Sequence, residues 1–368
     1  MIVNYLDIER AHSLILPELK NALEKVIKSG WLILGKELED FEKKYAKFSG
    51  TKYAVGVANG LDALILSLMA LEVGDGDEVI VPSNTYIATL LAISRVGAKP
   101  ILVEPNKETY NIDPIEIERK ISKNTKVIIP VHLFGQVAQM DAIMKIARKH
   151  KLFVVEDNAQ SHGATYERKM AGSFGHINAT SFYPGKNLGA LGDGGMITTN
   201  NKSLYEKVIL IRNYGSKIKY YNEVKGYNSR LDELQAAFLK IKLIHLKSNN
   251  KLRKEKADKY ISELKNIGDI ILPLTHPDST HVYHIFNIRT KKRESLKKYL
   301  DQNRIGNLIH YPVPPHLQKA YAELGFKKGD FPIAEELAST SISLPIYPEL
   351  SNDEQNFVIL KIKEFYEK

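Results

Sequence analysis

One lysine of the sequence, Lys186, has neighbours that suit a reactive amine. Lys186 lies in the glycine-rich stretch Ser181–Gly195, and glycine allows the backbone to approach a ligand closely. We predict that this lysine lies on a short irregular segment between strands 178–183 and 194–199. A lysine amine that is removed from water has a lowered pKa and can form a Schiff base with an aldehyde. The alternative is a tight hairpin whose lysine merely faces water.

Two other predicted strands lead to side chains that could face a ligand. Asp157 follows the apolar run 152–155, and Tyr86 follows the strand 78–81 after a short turn. A carboxylate can keep a proton on a ring nitrogen, and a tyrosine can stack on a flat ring. The alternatives are that Asp157 caps a helix or forms a turn, and that Tyr86 only packs.

The turn 58–64 connects a predicted strand to a predicted helix. The backbone amides of Gly60, Leu61 and Asp62 would then be helix N-terminal donors without partners, which is the arrangement that binds phosphate. The turn lacks the Gly-Lys-Ser/Thr ending of a Walker loop. It is not Gly-x-Gly-x-x-Gly either, so dinucleotide binding is not indicated.

Together these residues describe a single ligand. Lys186 would capture an aldehyde, while the helix amides and the Ser181 hydroxyl would hold a phosphate. Tyr86 would cover an aromatic ring, and Asp157 would keep a pyridine nitrogen protonated. Pyridoxal 5′-phosphate has all of these groups, and its protonated ring acts as an electron sink. The sequence therefore predicts a protein that binds pyridoxal 5′-phosphate.

The elements that position these residues alternate along the chain. Strands are predicted at 53–58, 78–81, 100–103, 126–131 and 152–155, and helices at 16–29, 37–48, 61–71, 86–96, 114–121 and 140–150. Short apolar strands separated by helices indicate an α/β fold with a large, mostly parallel sheet that is covered on both faces. Ligands of such sheets bind beyond the carboxyl ends of the strands, which is where the residues above are expected.

The alternating pattern weakens in the last third of the chain. We predict a long helical stretch over 231–264, broken near 248–250, and a strand over 281–290. Short helices and proline-rich loops follow. We therefore expect a large domain over 1–250 and a smaller C-terminal α+β domain over 251–368.

The composition narrows the class of protein. The chain has 368 residues and no cysteine, which excludes disulfides, cysteine nucleophiles and cysteine-ligated zinc, and we expect no metal site. The first ten residues lack the pattern of a signal peptide and no apolar run has membrane-spanning length, so we expect no membrane contact and a cytoplasmic location. The formal net charge is +9, but the lysines are spread along the chain, which argues against nucleic acid as a partner.

The sequence resembles the DegT/DnrJ/EryC1/StrS family of sugar aminotransferases, which have the aspartate aminotransferase fold, or fold type I. The matching motifs run almost from end to end and include those at 30–35, 59–64, 82–89, 131–135, 156–164, 181–189, 226–231 and 310–312. A few dehydratases of the family have a histidine at the position of Lys186. The lysine therefore implies transamination.

The resemblance implies a role for each residue around the cofactor ring. Lys186 would carry the cofactor as a Schiff base and later move a proton between the cofactor and the substrate carbon. Asp157 would pair with the pyridine nitrogen. Gln160 would bond to the ring hydroxyl, and Tyr86 would stack on the ring.

The resemblance also implies how the phosphate is held. Gly60, Leu61 and Ser181 would bind it together with Asn228, which would reach in from a second subunit. Each active site of a homodimer would then need both chains. The alternative for Asn228 is that it belongs to the N-cap region of the helix that follows it.

Four further positions correspond to residues that contact the sugar nucleotide in similar enzymes. They are Tyr183, Lys219, His310 and Tyr311. Lys219 would come from the partner chain, where a cation suits a diphosphate. The alternatives are a solvated loop lysine at 219 and a proline-shaped loop at 310–312.

The finer motifs resemble one branch of the family. Residues 59–64 and the ending Gly192-Asp-Gly-Gly195 look like enzymes that act at C-3 of a nucleotide-linked, usually dTDP-linked, 3-keto-6-deoxyhexose. Such enzymes serve deoxyamino-sugar biosynthesis, here for an O-antigen or S-layer glycan. The expected amino donor is L-glutamate, with Arg212 and Arg230 as candidates for binding its carboxylate. The alternatives are a C-4 aminotransferase, a cofactor-binding regulatory protein without turnover, and a nucleotide-sugar binder without cofactor.

Overall fold

The computed structural model describes residues 1–367 and is organised around a seven-stranded β-sheet. The strands are β1 (Tyr53–Val57), β2 (Glu78–Pro82), β3 (Lys99–Val103), β4 (Thr125–Ile128), β5 (Phe153–Asp157), β6 (Thr165–Tyr166), β7 (Lys169–Met170), β8 (Ile177–Ser181), β9 (Gly195–Thr199), β10 (Ser216–Ile218), β11 (Tyr221–Asn222), β12 (Phe286–Arg289) and β13 (Ser341–Leu344). The α-helices are α1 (Ile8–Ser13), α2 (Leu16–Ser29), α3 (Lys36–Ser49), α4 (Gly60–Ala70), α5 (Ile87–Arg95), α6 (Pro114–Lys120), α7 (Met140–His150), α8 (Lys202–Arg212), α9 (Glu233–Leu264), α10 (Arg293–Gln302), α11 (Pro332–Thr340) and α12 (Asn352–Glu367).

The large sheet is mostly parallel, as predicted. Its strand order is β1-β9-β8-β5-β4-β2-β3, and β9 runs antiparallel to both of its neighbours while the other pairs are parallel. The carboxyl ends of the parallel strands therefore meet at one edge of the sheet. Asp157 ends β5 and Ser181 ends β8, so the two residues lie at the same edge on neighbouring strands.

Both faces of the sheet are covered by helices, which is why the strands are apolar without alternation. In β5, Val155 packs into the core on one face and Val154 packs into the core on the other. The N-terminal part of α4 lies close to β8, and α4 packs against α5 within the first of these cores. These contacts fix the start of α4 near the end of β8.

Helix α9 is one continuous helix of 32 residues, so the predicted break near 248–250 is wrong. Asn250 has a low helix propensity, but its side chain donates a hydrogen bond of 2.8 Å to the carbonyl of His162 and accepts one of 2.9 Å from Asn187. These tertiary contacts outweigh the local preference of asparagine for a helix end. The predicted strand over 281–290 is also shorter, because only β12 pairs, with β13.

A separate hydrophobic core lies at the C-terminal end of α9. It contains Tyr260 from α9, Phe286 from β12 and Leu344 from β13, and Val3 from the N-terminus packs into it as well. We keep the division into domains over 1–250 and 251–368 as a proposal, in which the first residues of the chain contribute to the smaller domain. None of the helices within residues 1–367 is long and apolar enough to cross a lipid bilayer.

Candidate active site

A cavity of about 690 Å³ lies at the carboxyl edge of the large sheet, where the site was predicted. The structure brings the following predicted site residues to its wall: Gly60, Leu61, Tyr86, Asp157, Gln160, Ser181, Tyr183, Lys186, His310 and Tyr311. Lys219 and Asn228 do not line it. The site is therefore assembled from residues at or just beyond the ends of the sheet strands, from the start of α4, and from residues beyond α9.

Lys186 lies on the irregular segment between β8 and β9, as predicted, and its side chain faces the cavity. Its backbone amide donates a hydrogen bond of 2.8 Å to the carbonyl of Tyr183. The turn closes tightly, because a Cβ atom at Gly189 would lie 2.3 Å from the carbonyl oxygen of Pro184. Burial lowers the pKa of the Lys186 amine to about 8, although the charge of Asp157 opposes the shift.

Asp157 is buried at the end of β5 and is held by two donors. Thr89 donates to its Oδ2 at 3.0 Å, and the backbone amide of Ala159 donates to its Oδ1 at 3.2 Å. Burial raises the pKa of Asp157, while these hydrogen bonds and the charge of Lys186 lower it. The bond from Ala159 is that of a turn-forming aspartate, but each carboxylate oxygen keeps a lone pair for a ligand in the cavity.

The start of α4 forms a narrow cradle with the end of β8. A Cβ atom at Gly60 would lie 2.5 Å from the Cβ of Ser181, so only glycine allows this approach. Asn59 caps α4, and its Oδ1 accepts a hydrogen bond of 2.8 Å from the amide of Asp62. The prediction that the Asp62 amide is unpartnered is therefore wrong. The amides of Gly60 and Leu61 belong to the first turn, whose N–H groups have no acceptor within the helix.

Two tyrosines and one glutamine form another part of the cavity wall. Tyr86 is 53% exposed, and its ring centroid lies 5.2 Å from that of Tyr311. Gln160 donates to the Tyr311 hydroxyl at 3.0 Å and accepts from the Phe134 amide at 2.7 Å. Gln160 is thus fixed in orientation, with its Nε2 toward the Tyr311 hydroxyl.

His310 is held by Ser343, with 2.8 Å between His310 Nδ1 and the Ser343 hydroxyl. Burial, and to a lesser extent the charge of Lys186, lowers the pKa of His310 to about 4. The imidazole is therefore neutral at pH 7 and offers hydrogen bonds rather than charge to a ligand. Tyr183, by contrast, is an exposed residue at the mouth of the cavity.

His284 also lines the cavity, and nothing in the sequence analysis indicated it. Asn250 donates to the His162 carbonyl at 2.8 Å, and Asn187 donates to the Val282 carbonyl at 3.0 Å. The orientation of the Asn187 amide is thereby fixed, and its Oδ1 lies 3.3 Å from His284 Nδ1. Because that oxygen only accepts, Nδ1 of His284 carries the proton and Nε2 keeps its lone pair. Burial and the nearby cations hold the pKa of His284 well below its usual range.

The two predicted partner-chain residues lie away from the cavity of their own chain. Asn228 is exposed and pairs with Asn213 in an isolated antiparallel bridge. Helix α9 begins at Glu233 with Asp232 as its N-cap, so Asn228 does not cap it. Lys219 is exposed between β10 and β11, with its amine 5.0 Å from the centre of the Tyr220 ring.

The arginines that were candidates for the donor carboxylate do not line the cavity. Arg212 is buried, and its Nη1 donates to Glu42 at 2.6 Å and to the Gly56 carbonyl at 2.8 Å. Arg230 donates to Asn213 at 2.9 Å. The arginine that does line the cavity is Arg253 of α9, which lies in a lysine-rich run whose pattern gave no sign of a site.

These features fit pyridoxal 5′-phosphate. The cradle between Gly60 and Ser181 offers helix amides and a hydroxyl to a phosphate. The cavity wall also carries a buried carboxylate at Asp157, an exposed aromatic ring at Tyr86 and an amine of lowered pKa at Lys186. Among residues 1–367 no cluster of side chains is suited to hold a metal ion.

Comparison with known proteins identifies the family of this chain. The profile of the DegT/DnrJ/EryC1/StrS aminotransferase family matches residues 14–363. The chain is 51% identical over 364 residues to the dTDP-3-amino-3,6-dideoxy-alpha-D-galactopyranose transaminase of Aneurinibacillus thermoaerophilus, with 99% of each protein covered. It is 46% identical over 366 residues to the dTDP-3-amino-3,4,6-trideoxy-alpha-D-glucose transaminase of Streptomyces venezuelae. This match covers 100% of this chain and 97% of the relative.

The fold is similar to that of a solved structure over the whole chain. The crystal structure of S. venezuelae DesV in complex with a ketimine intermediate has a TM-score of 0.98 and 46% identity, and covers 100% of this chain and 99% of the other. The predicted fold, a fold type I enzyme with a mostly parallel sheet, is thereby confirmed. The chain belongs to the DegT/DnrJ/EryC1/StrS aminotransferase family.

Proposed function

We propose that the protein transfers an amino group from L-glutamate to C-3 of a nucleotide-linked 3-keto-6-deoxyhexose, with pyridoxal 5′-phosphate as cofactor. The observation that carries the proposal is that Lys186, with its lowered pKa, shares the cavity wall with the buried Asp157. The two relatives described above are named as transaminases of dTDP-linked 3-amino sugars, which supports the choice of a dTDP-linked substrate and of C-3.

The cofactor would be held by residues of the cavity wall. Gly60 and Leu61 would donate their amides to its phosphate, and Ser181 would donate its hydroxyl. Asp157 would hold a proton on the ring nitrogen, because a buried carboxylate that faces a cation is stabilised in its charged form. Tyr86 would cover one face of the ring. When bound, the cofactor supplies an electron sink for the bond-breaking step.

Lys186 would act both as the anchor of the cofactor and as the proton carrier. An amine with a pKa of about 8 is unprotonated in a larger fraction of molecules near neutral pH than an ordinary lysine amine. It can therefore attack a carbonyl and afterwards hold a proton next to the reacting carbon. Gln160 is oriented by Phe134 and Tyr311, so its Nε2 would donate toward the ring hydroxyl.

The sugar nucleotide would enter past Tyr183 and lie against His310 and Tyr311. Since His310 is neutral, it would bind sugar hydroxyls by hydrogen bonds and would leave the charge of the diphosphate to another group. Lys219 is proposed to be that group, supplied by the partner chain. Its exposed position between β10 and β11 supports a role outside its own cavity.

We also propose a homodimer in which Asn228 completes the phosphate site of the partner subunit. Asn228 is exposed and lies away from the cavity of its own chain. Ile33 pairs with Asp232 in an antiparallel bridge, which places the exposed side chains of Trp31 and Leu32 near the same segment. An exposed apolar surface of this kind is typical of a contact between subunits.

The proposed product belongs to deoxyamino-sugar biosynthesis, with an O-antigen or S-layer glycan as destination and the cytoplasm as location. A C-4 aminotransferase has less support, because the two relatives described above are named for 3-amino sugars. A regulatory protein without turnover has less support, because both of these relatives are named as transaminases. A nucleotide-sugar binder without cofactor leaves the lowered pKa of Lys186 without a purpose.

The proposed function is tested by turnover on a panel of dTDP-3-keto and dTDP-4-keto sugars with L-glutamate. We expect the absorbance of the bound cofactor to change with L-glutamate alone, and we expect amino-sugar product from the 3-keto substrates. Product from the 4-keto substrates only would assign the protein to C-4 chemistry. A change with L-glutamate but no product from any sugar would favour the regulatory alternative.

A further inference from the structure

Arg253 is a buried cation at the cavity wall. The residue is 5% exposed, yet it lines both the main cavity and an adjoining cavity of about 290 Å³ that also reaches Lys186. Its Nη1 donates to the carbonyl oxygens of Tyr283 at 3.2 Å and Ile346 at 2.7 Å. Within residues 1–367 no aspartate or glutamate forms an ion pair with it. Glu349 acts on it only as a more distant charge.

The hydrogen bonds leave most of the guanidinium available. A guanidinium has five N–H donors, and the two donors of Nη1 are used by the two carbonyls. The donors on Nη2 and Nε remain. The carbonyls fix the plane of the group, so these donors have a set direction and lose little entropy when an acceptor arrives.

An uncompensated charge in this position is costly unless a ligand neutralises it. Burial lowers the pKa of Arg253 to about 10, which still leaves the group protonated at pH 7. Buried charges are generally paired, because removal from water without a partner is unfavourable. The surroundings of Arg253 therefore suit an anion that enters the cavity.

The nature of that anion follows from the other charges in the cavity. Lys186 and Arg253 are the lysine and arginine residues that line the main cavity among the described residues, and His284 and His310 are neutral at pH 7. The cofactor phosphate has its own cradle at Gly60. The charges of both Lys186 and Arg253 lower the pKa of His284, which places them around one imidazole. A small substrate that presents a carboxylate beside the reacting amine matches this arrangement.

We propose that Arg253 binds a carboxylate of the amino donor, through Nη2 and Nε, while the donor amine faces the position of Lys186. A planar guanidinium binds a carboxylate through two parallel hydrogen bonds, which orients the donor as well as holding it. This inference rests on the proposed function. It assigns to α9 the role for which Arg212 and Arg230 were considered.

The test compares the two halves of the reaction in one protein. In rapid-mixing experiments, the cofactor absorbance reports the reaction with L-glutamate and, in reverse, the reaction of the dTDP-amino sugar product. In Arg253→Met we expect the second-order rate constant with L-glutamate to fall on the order of a hundredfold or more. The constant with the amino sugar should stay within about threefold, because that substrate does not use the carboxylate contact. Arg253→Lys keeps the charge but loses the planar pair of donors. Its rate constant with L-glutamate should therefore lie between those of the wild type and Arg253→Met.

The matched control is Arg289→Met, which removes an arginine that is 4% exposed in β12 and does not line the cavity. In Arg289→Met, the rate constants with L-glutamate and with the amino sugar should change by the same factor. Equal losses in both halves for Arg253→Met would overturn the proposal and make Arg253 a structural link between Tyr283 and Ile346. A loss confined to the amino sugar would overturn it in favour of a diphosphate site.

A measurement on the wild-type protein covers the case in which Arg253→Met does not fold. Crystals of the holoenzyme soaked with maleate, a dicarboxylate without an amine, should show a carboxylate within hydrogen-bond distance of Arg253 Nη2 or Nε. Maleate bound only elsewhere in the cavity would overturn the proposal. The wild-type half-reactions test the proposed function separately. Failure of the proposed function is therefore distinguishable from failure of the proposal for Arg253.

Discussion

Gly60 lies against Ser181 so closely that a methyl group at Gly60 would sit 2.5 Å from the Ser181 Cβ. The contact joins the first residue of α4 to the last residue of β8, two residues that are far apart in the sequence. The first-turn amides and the serine hydroxyl can therefore act on one phosphate group. This geometry depends on the absence of a side chain at one position.

The first prediction concerns that glycine. In Gly60→Ala, the new methyl group should push the start of α4 away from Ser181, because real Cβ contacts do not reach 2.5 Å. We expect the dissociation constant for pyridoxal 5′-phosphate to rise on the order of tenfold or more, as measured by absorbance titration. The control is Gly74→Ala, whose Cβ would meet only the Val96 carbonyl at 3.7 Å. Equal cofactor affinity in both variants would contradict the phosphate cradle.

The second prediction concerns Lys186 itself. Lys186→Ala should abolish turnover, because both the attack on a carbonyl and the proton transfer need this amine. The variant should still bind the cofactor through its phosphate and ring, without a covalent link. Borohydride reduction followed by mass spectrometry should label the wild-type chain at Lys186 and leave the variant unlabelled. Transaminase activity near that of the wild type would refute the assignment of the site.

The third prediction uses the pKa of about 8 for Lys186, which lies below the ordinary value of 10.5 because the amine is buried. The unprotonated amine is the nucleophile, so the rate at which the cofactor-free protein forms its covalent link should rise with pH and level off above a midpoint near 8. The charge of Asp157 raises this pKa. In Asp157→Asn the midpoint should therefore move to lower pH. A midpoint near 10.5 would mean that the amine is not desolvated.

The fourth prediction concerns the charge on Asp157. Asp157→Asn should lower turnover on the order of a hundredfold or more, because an amide cannot hold the ring proton by charge. The covalent link to Lys186 should still form. Asp193→Asn is the control, since Asp193 also lines the cavity and its removal should cost much less. Similar losses in the two variants would show that the net charge of the cavity matters rather than the position of Asp157.

Part of this site could be predicted from sequence because polar residues directly follow apolar strands. Asp157 and Ser181 end buried strands, and parallel strands bring such residues to one edge. Arg253 could not be found in this way, because it lies in the middle of a helix and its surroundings come from residues near 283 and 346. Helix α8 was also not among the predicted helices, although its buried Leu204, Val208 and Ile211 have helical spacing.

The position of His284 illustrates the same limit. Its proton position follows from a chain of amide contacts through Asn187 and Asn250, and this chain exists only once α9 lies beside the Lys186 segment. Asn250 and the preceding Asn249 suggested a helix break when taken as local sequence, because asparagine favours helix ends. In the folded protein the side chain of Asn250 instead links α9 to Asn187, the residue after Lys186.

The last prediction concerns sites shared between two chains. If Asn228 completes the partner's site, a mixed dimer of Lys186→Ala and Asn228→Asp chains contains one intact site, with Lys186 from one chain and Asn228 from the other. After subunit exchange, activity should rise well above the sum of the separate variants. A mixture of Lys186→Ala with Asp157→Asn is the control and should show no rise, because those two residues come from the same chain. With exchange verified and Asn228→Asp impaired alone, no rise in the first mixture would mean that each chain builds its own site.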